Sequence, residues 1–142
     1  MKYIINDLLK QMYERNASDL HIGGGCPIHF RINARLVALN DIPLTPDESK
    51  GLAYSRLTKE QIEIFEREWE LDFSLGLENL ARYRVNIFIQ RSSIGCAIRL
   101  IPYEKMSFEE CGLPEQVVID LSNKPKGLVL VTGATGSGKS TT

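Results

Sequence analysis

Apolar residues recur every three or four positions near the start of the chain, at Ile4, Ile5, Leu8, Leu9 and Met12, while Asn6, Asp7, Lys10, Gln11 and Glu14 fill the opposite face. That period predicts an amphipathic helix over residues 2–15, stopped at Asn16. The period then shortens to two, and residues 19–22, 28–32 and 35–39 read as short strands. Gly23-Gly24-Gly25 separates the first two, and Asn33-Ala34 turns the second into the third. Asn tolerates the positive φ of a tight hairpin turn and Ala does not, so the pattern leaves that turn type open.

Two helix starts follow. Thr45-Pro46-Asp47-Glu48 places a capping hydroxyl before a proline, with an acid three residues after the cap, and Thr58-Lys59-Glu60-Gln61 repeats the capping-box logic. The second helix offers Ile62, Phe65 and Trp69 to a core, with Glu60, Glu63, Glu66 and Glu68 as its solvated side. Residues 70–101 return to a β pattern. Leu71, Phe73 and Leu75 alternate with polar residues, and a long strand over 81–90 sets Tyr83, Val85, Ile87 and Ile89 on one face against Arg82, Arg84 and Asn86 on the other. A turn near Arg91-Ser92-Ser93 leads back through 94–101. Pro102, Pro114 and Pro125 punctuate an irregular or weakly helical stretch, and 127–131 is an unbroken apolar run of the kind buried on both faces of a parallel sheet. The organisation expected is one domain over 1–103, a linker over 104–124, and the start of a second domain over 125–142.

Composition narrows the function only by exclusion. Net charge is −1, which argues against nucleic acid as a partner. No apolar run approaches the ~20 residues of a membrane span, and the N-terminus turns polar too early for a signal-peptide core. Cys26, Cys96 and Cys111 are far apart with no CxxC spacing, which points to reduced thiols in a cytoplasmic protein rather than a zinc site.

Chemistry enters with Gly133-Ala134-Thr135-Gly136-Ser137-Gly138-Lys139-Ser140, which fits the G-x-x-x-x-G-K-[ST] phosphate loop and follows directly on a buried-type strand. Glycines let successive backbone N–H groups point at one anion without a Cβ in the way. A helix beginning near Lys139 would present its N-terminal N–H groups, Thr141 included, to phosphate. Lys139 adds a full charge toward the β- and γ-phosphates of ATP, and Ser140 is the candidate Mg2+ ligand.

A second constellation depends on register. If the hairpin turns through Arg91-Ser92 alone, Gln90 pairs with Ser93 and Arg84 falls opposite Arg99. Two like charges facing across a sheet repel, so such a pair either holds an anion or is solvated, or is neutralised by acids such as Asp72. A three-residue turn would break the pairing. His21 and His29 have no acid or cysteine cluster around them and read as ordinary strand residues. Asp19, preceded by Ser18, reads as a strand-start cap.

The ordered series Ala17-Ser18-Asp19-Leu20-His21, Pro27, Arg31, Asp72-Phe73, Ala81-Arg82-Tyr83-Arg84-Val85-Asn86, Arg99, Ile101-Pro102, Gly112-Leu113-Pro114 and Gly127 through the phosphate loop resembles the secretion ATPase superfamily. The resemblance runs from about Ile5 to Thr142. It implies an α+β PAS-like N-terminal domain with an antiparallel sheet and helices, a linker, and the first strand and P-loop of a RecA-like α/β ATPase domain. It further implies a homo-hexameric ring at the inner face of the cytoplasmic membrane, acting on a pilus platform protein, with ATP and Mg2+ bound between the domains. The family's phosphate-reaching arginines fall by position on Arg84 and Arg99, with Arg82 a weaker candidate, so Lys139, Arg84 and Arg99 become the candidate catalytic residues. Ala34, Ala134 and Cys111 depart from the family's frequent Gly, Pro and aliphatic residue without removing a chemical group. The acidic and histidine boxes that follow the loop in the family lie beyond these residues. The chain is therefore expected to be an N-terminal piece that alone binds nucleotide weakly and does not turn it over. A PAS-like domain close to the N-terminus favours a retraction-type motor over assembly or type II secretion motors. A non-catalytic interaction module remains the alternative for these residues alone. A small P-loop kinase fits poorly, since such enzymes carry the loop near their N-terminus.

Overall fold

The computed structural model describes residues 2–78, 80–103, 107–134 and 138–139. The chain divides into two compact units, Met1–Tyr103 and Glu104–Thr142. In the first unit α1 (Ile5–Glu14) is followed by β1 (Asp19–Gly23), β2 (His29–Ile32) and β3 (Arg35–Ala38). Then come α2 (Pro46–Tyr54), α3 (Lys59–Glu68), β4 (Glu70–Leu77), β5 (Ala81–Gln90) and β6 (Ser93–Pro102). The strands form one six-stranded sheet in the order β3-β2-β1-β6-β5-β4, and every neighbouring pair is antiparallel. This unit is an α+β fold.

Local chemistry accounts for the element starts. Thr45 accepts from the Glu48 backbone while Glu48 reaches back to the Thr45 N–H at 2.8 Å, and Thr58 and Gln61 do the same, with Gln61 at 3.0 Å. Each box satisfies two N–H groups that a helix end otherwise leaves orphaned. The expected stripe of α1 is buried at Ile5, Leu8, Leu9 and Met12. It packs with Leu20, Ile22, Phe30, Tyr83, Val85, Ile87, Cys96 and Ile98 of the sheet and with Leu52, Ala53 and Phe65 of α2 and α3. The Tyr83 hydroxyl donates to the Leu9 carbonyl at 3.0 Å and ties α1 to β5 inside this core.

Three expectations need correction. Trp69 is 64% exposed rather than in the core, because it caps α3 in the left-handed conformation (φ 62°), which turns its side chain off the helical stripe. Ile89, two residues before the hairpin turn at Arg91, is exposed because the buried part of the strand ends at Ile87. The stretch read as irregular or weakly helical contains α4 (Glu115–Ser122). Residues 127–131 form no strand, and Leu128, Val129, Leu130 and Val131 are all exposed. A buried parallel strand takes its ladder bonds from neighbours on both sides, and none stands beside it among the described residues.

Candidate phosphate-binding site

The hairpin between β5 and β6 turns through two residues. Arg91 and Ser92 have φ of 50° and 58°, both left-handed, as a two-residue type I′ turn demands. Gln90 therefore pairs with Ser93, and counting along the ladder sets Arg84 opposite Arg99. Val85 and Ile98, the next pair, face the core. Side chains alternate across a strand, so both arginines stand on the other face of the sheet.

Each strand contributes one residue to a row across that face: Ser74 on β4, Arg84 on β5, Arg99 on β6, Asp19 on β1, Arg31 on β2 and Leu36 on β3. Two carboxylates relieve the repulsion between the facing arginines. Arg84 Nη2 lies 3.4 Å from Asp72 Oδ2, one step diagonally on β4. Arg99 Nε donates to Asp19 Oδ1 at 3.0 Å. Asp19 also accepts from Ser18 Oγ at 2.8 Å and pairs with Arg31 Nε at 3.3 Å. Asn86 reaches Glu70 at 3.2 Å in the next row. Asp19, Glu70, Asp72, Arg84, Asn86 and Arg99 line a cavity of about 280 Å³.

Burial works against ionisation of Asp19, but the hydrogen bonds from Ser18 and Arg99 and the charge of Arg99 outweigh it, so the carboxyl stays below its ordinary range. His21, two residues on, is pushed below its ordinary value by burial and then by the charge of Arg31, and its buried Nε2 has no hydrogen-bond partner. A neutral imidazole follows from both facts. His29, facing His21 across the β1–β2 ladder, takes its place through Nδ1 and the Pro27 carbonyl at 2.8 Å.

Asp72 is thus the counter-ion of Arg84, one of the two possibilities its charge allowed. Asp19 was missed as more than a cap: it anchors Arg99 and Arg31 together. Nothing local signals this, because Asp19 and Arg99 lie 80 residues apart and meet only through β1–β6 pairing. Chemically, the face presents guanidiniums whose planar forks match phosphate oxygens. No group of three or more His, Cys, Asp or Glu is placed to hold a metal ion among the described residues.

In the second unit Gly133, Ala134, Gly138 and Lys139 of the phosphate loop are described, while Thr135, Gly136, Ser137, Ser140 and Thr141 lie outside the described residues, as does the helix expected near Lys139. Gly138 has φ 91°, a conformation that glycine adopts without strain. Lys139 Nζ donates to the Ala134 carbonyl at 2.6 Å, so the ammonium curls back over the start of its own loop.

Comparison with known proteins places these features. The chain is 41% identical over 138 residues to the type IV pilus retraction ATPase PilT of Pseudomonas aeruginosa, a match covering 97% of this chain and 40% of that protein. A crystal structure of the pilus retraction motor PilT with bound ADP superposes with a TM-score of 0.78 at 40% identity, covering 98% of this chain and 40% of the other. The ATPase DotB of Legionella pneumophila superposes with a TM-score of 0.77 at 28% identity, covering 96% of this chain and 39% of the other. The chain spans about two fifths of the length of these relatives. Residues 1–142 match the Type II/IV secretion system proteins throughout, and the chain belongs to that family.

Proposed function

We propose that this chain is the N-terminal part of a hexameric ATP-hydrolysing motor that drives type IV pilus retraction, and that Arg84 and Arg99 bind the phosphates of ATP. The observation that carries this reading is the pair itself. Two guanidiniums face each other on an exposed sheet face, each held by one carboxylate through a single nitrogen and keeping further N–H groups for phosphate oxygens, in a chain whose other unit holds G-x-x-x-x-G-K-S. The 41% identity to a protein named as a retraction ATPase supports the choice of motor.

In the proposed mechanism the substrate is the magnesium complex of ATP. Phosphoryl transfer involves little covalent chemistry by the protein, so catalysis is positioning and charge stabilisation. Backbone N–H groups of the loop over 133–141 would cradle the phosphates, Lys139 would exchange the Ala134 carbonyl for a phosphate oxygen, and Ser140 would supply a hydroxyl to the magnesium. Arg84 and Arg99 contribute charge that grows in value as negative charge develops on the transferring group. Hydrolysis would supply the energy that a ring-shaped motor at the inner membrane transmits to a pilus platform protein. The 142 residues alone carry only the opening segment of the nucleotide site and are proposed not to hydrolyse ATP.

The test uses the full-length protein in its native host. Alanine at Arg84 or Arg99 should cut ATPase turnover at least tenfold while the melting temperature is retained, and deletion of the gene should leave pili assembled but unable to retract. Unchanged turnover in both mutants sinks the arginine assignment. Loss of pili, or loss of secretion with normal retraction, assigns the motor to assembly or secretion instead.

A further inference from the structure

The two arginines are held by different atoms, and the difference has consequences. Arg99 is tethered through Nε, and among the described residues neither of its Nη nitrogens has a hydrogen-bond partner. Arg84 is engaged through Nη2, at the fork itself. A guanidinium grips phosphate through its fork of parallel N–H groups. Arg99 therefore presents both fork nitrogens free, whereas one of the two fork nitrogens of Arg84 is already engaged.

The partners differ as well. Asp19 has a side chain only 12% exposed, accepts hydrogen bonds from Ser18 and Arg99, and is ion-paired with Arg31 as well. Asp72 is 50% exposed, holds Arg84 at the long distance of 3.4 Å, and has no other partner among the described residues. Exposed pairs of that kind contribute little and break readily. Removing a partner from a buried, multiply bonded carboxylate is costly.

We propose that the pair is functionally unequal: Asp19 is a positioning residue that presets Arg99 as a fixed phosphate ligand, while Asp72 competes with nucleotide phosphate for Arg84, which must exchange one anion for the other. This rests on the reading of both arginines as phosphate ligands. It predicts effects of opposite sign from two neutralising substitutions on the same sheet face. Asp19→Asn loosens Arg99 and weakens nucleotide binding. Asp72→Asn frees the Arg84 fork and tightens it, by up to about fivefold, the scale of an exposed ion pair.

The experiment is a fluorescence titration of mant-AMPPNP, which keeps the γ-phosphoryl group, and an ATPase assay on the full-length protein. The variants are Asp19→Asn, Asp72→Asn, Arg84→Ala and the double variant Asp72→Asn/Arg84→Ala. We expect a weaker dissociation constant for Asp19→Asn, a tighter one for Asp72→Asn, and no gain from Asp72→Asn once Arg84 is alanine, since coupling between contacting residues is what such a cycle isolates. If Asp19→Asn does not fold, Ser18→Ala, which releases Asp19 while keeping its charge, should show the same loss in smaller measure. Shifts of the same sign for the two aspartates overturn the proposal. So does a gain from Asp72→Asn that survives in the Arg84→Ala background, because Asp72 would then act only by repelling phosphate through space. Unchanged affinity in Arg84→Ala is a different failure, that of the phosphate-ligand reading itself.

Discussion

Arg84 stands opposite Arg99 only because Arg91 and Ser92 both adopt left-handed backbone conformations. Neither residue type favours that region, and each non-glycine residue there carries a penalty of about 1–2 kcal/mol. Asn-Gly is the sequence such a turn prefers. Arg91→Asn/Ser92→Gly should raise stability by about 1 kcal/mol, read by urea denaturation, and leave nucleotide affinity unchanged because the register is already the one the new turn selects.

The β2–β3 hairpin makes the same demand. Asn33 and Ala34 have φ of 48° and 64°, and Ile32 pairs with Arg35 across them. Ala34 has a Cβ and no compensating side-chain hydrogen bond to offer. Ala34→Gly should therefore stabilise the protein by about 1 kcal/mol, against the usual direction for an Ala-to-Gly change. A destabilisation in the same denaturation assay would show that the turn relaxes to another type in solution.

How much of this was legible in the sequence follows the range of each interaction. Thr45 and Glu48 meet three residues apart, so the capping box is written locally and read locally. The Arg84–Arg99 register needed only a turn length. Trp69 and Ile89 were misplaced because a period says which face a residue shares, not where the buried part of that face ends. Asp19 was read as a cap because its partner Arg99 arrives from the far end of the domain through β1–β6 pairing, which no local count supplies. The apolar run at 127–131 has the right composition for a buried strand, yet strand formation needs partners rather than composition alone.

Tyr83 joins helix to sheet. Its hydroxyl donates to the Leu9 carbonyl inside the core, and burial, with smaller contributions from Tyr13 and Tyr103, pushes its ionisation up to about 12. Tyr83→Phe keeps the ring and removes only the donor. The expected cost is about 1 kcal/mol, the net worth of one such bond, seen as a lowered urea midpoint with an unchanged slope. In the native protein, ultraviolet titration should show this tyrosine ionising near pH 12.

The thiols should separate cleanly by reactivity. Cys96 lies on the core face between Ile22 and Ile87, and burial pushes its pKa up to about 12. Cys26 is exposed. A thiolate is the reactive form, so a short iodoacetamide pulse at pH 8, read by mass spectrometry, should label Cys26 and spare Cys96 until denaturant is added. Labelling of Cys96 in the native state would place it outside the core.

Acid should lower the stability of this domain over two pH windows, and the sign follows from which state binds more protons. His21 lies below its ordinary value of 6.5 in the folded protein, through burial and then the charge of Arg31, with His29 and Arg99 adding to it and Asp19 opposing. As pH falls below 6.5 the unfolded chain takes up a proton that the folded one refuses, so stability declines until pH passes the folded value. Asp19 also lies below its ordinary 3.8, here because Ser18 and Arg99 overcome the effect of burial. The stability it contributes is fully present above 3.8 and is lost as pH falls below that value through the lower, folded one. His21→Gln should flatten the first decline, whereas Asp19→Asn should flatten the second and, by removing the charge that opposes the shift of His21, steepen the first, at the cost of lower stability at neutral pH. Urea unfolding between pH 7 and pH 3 distinguishes the two. If His21→Gln leaves the slope between pH 6.5 and 5 unchanged, the buried imidazole is not the group that titrates there.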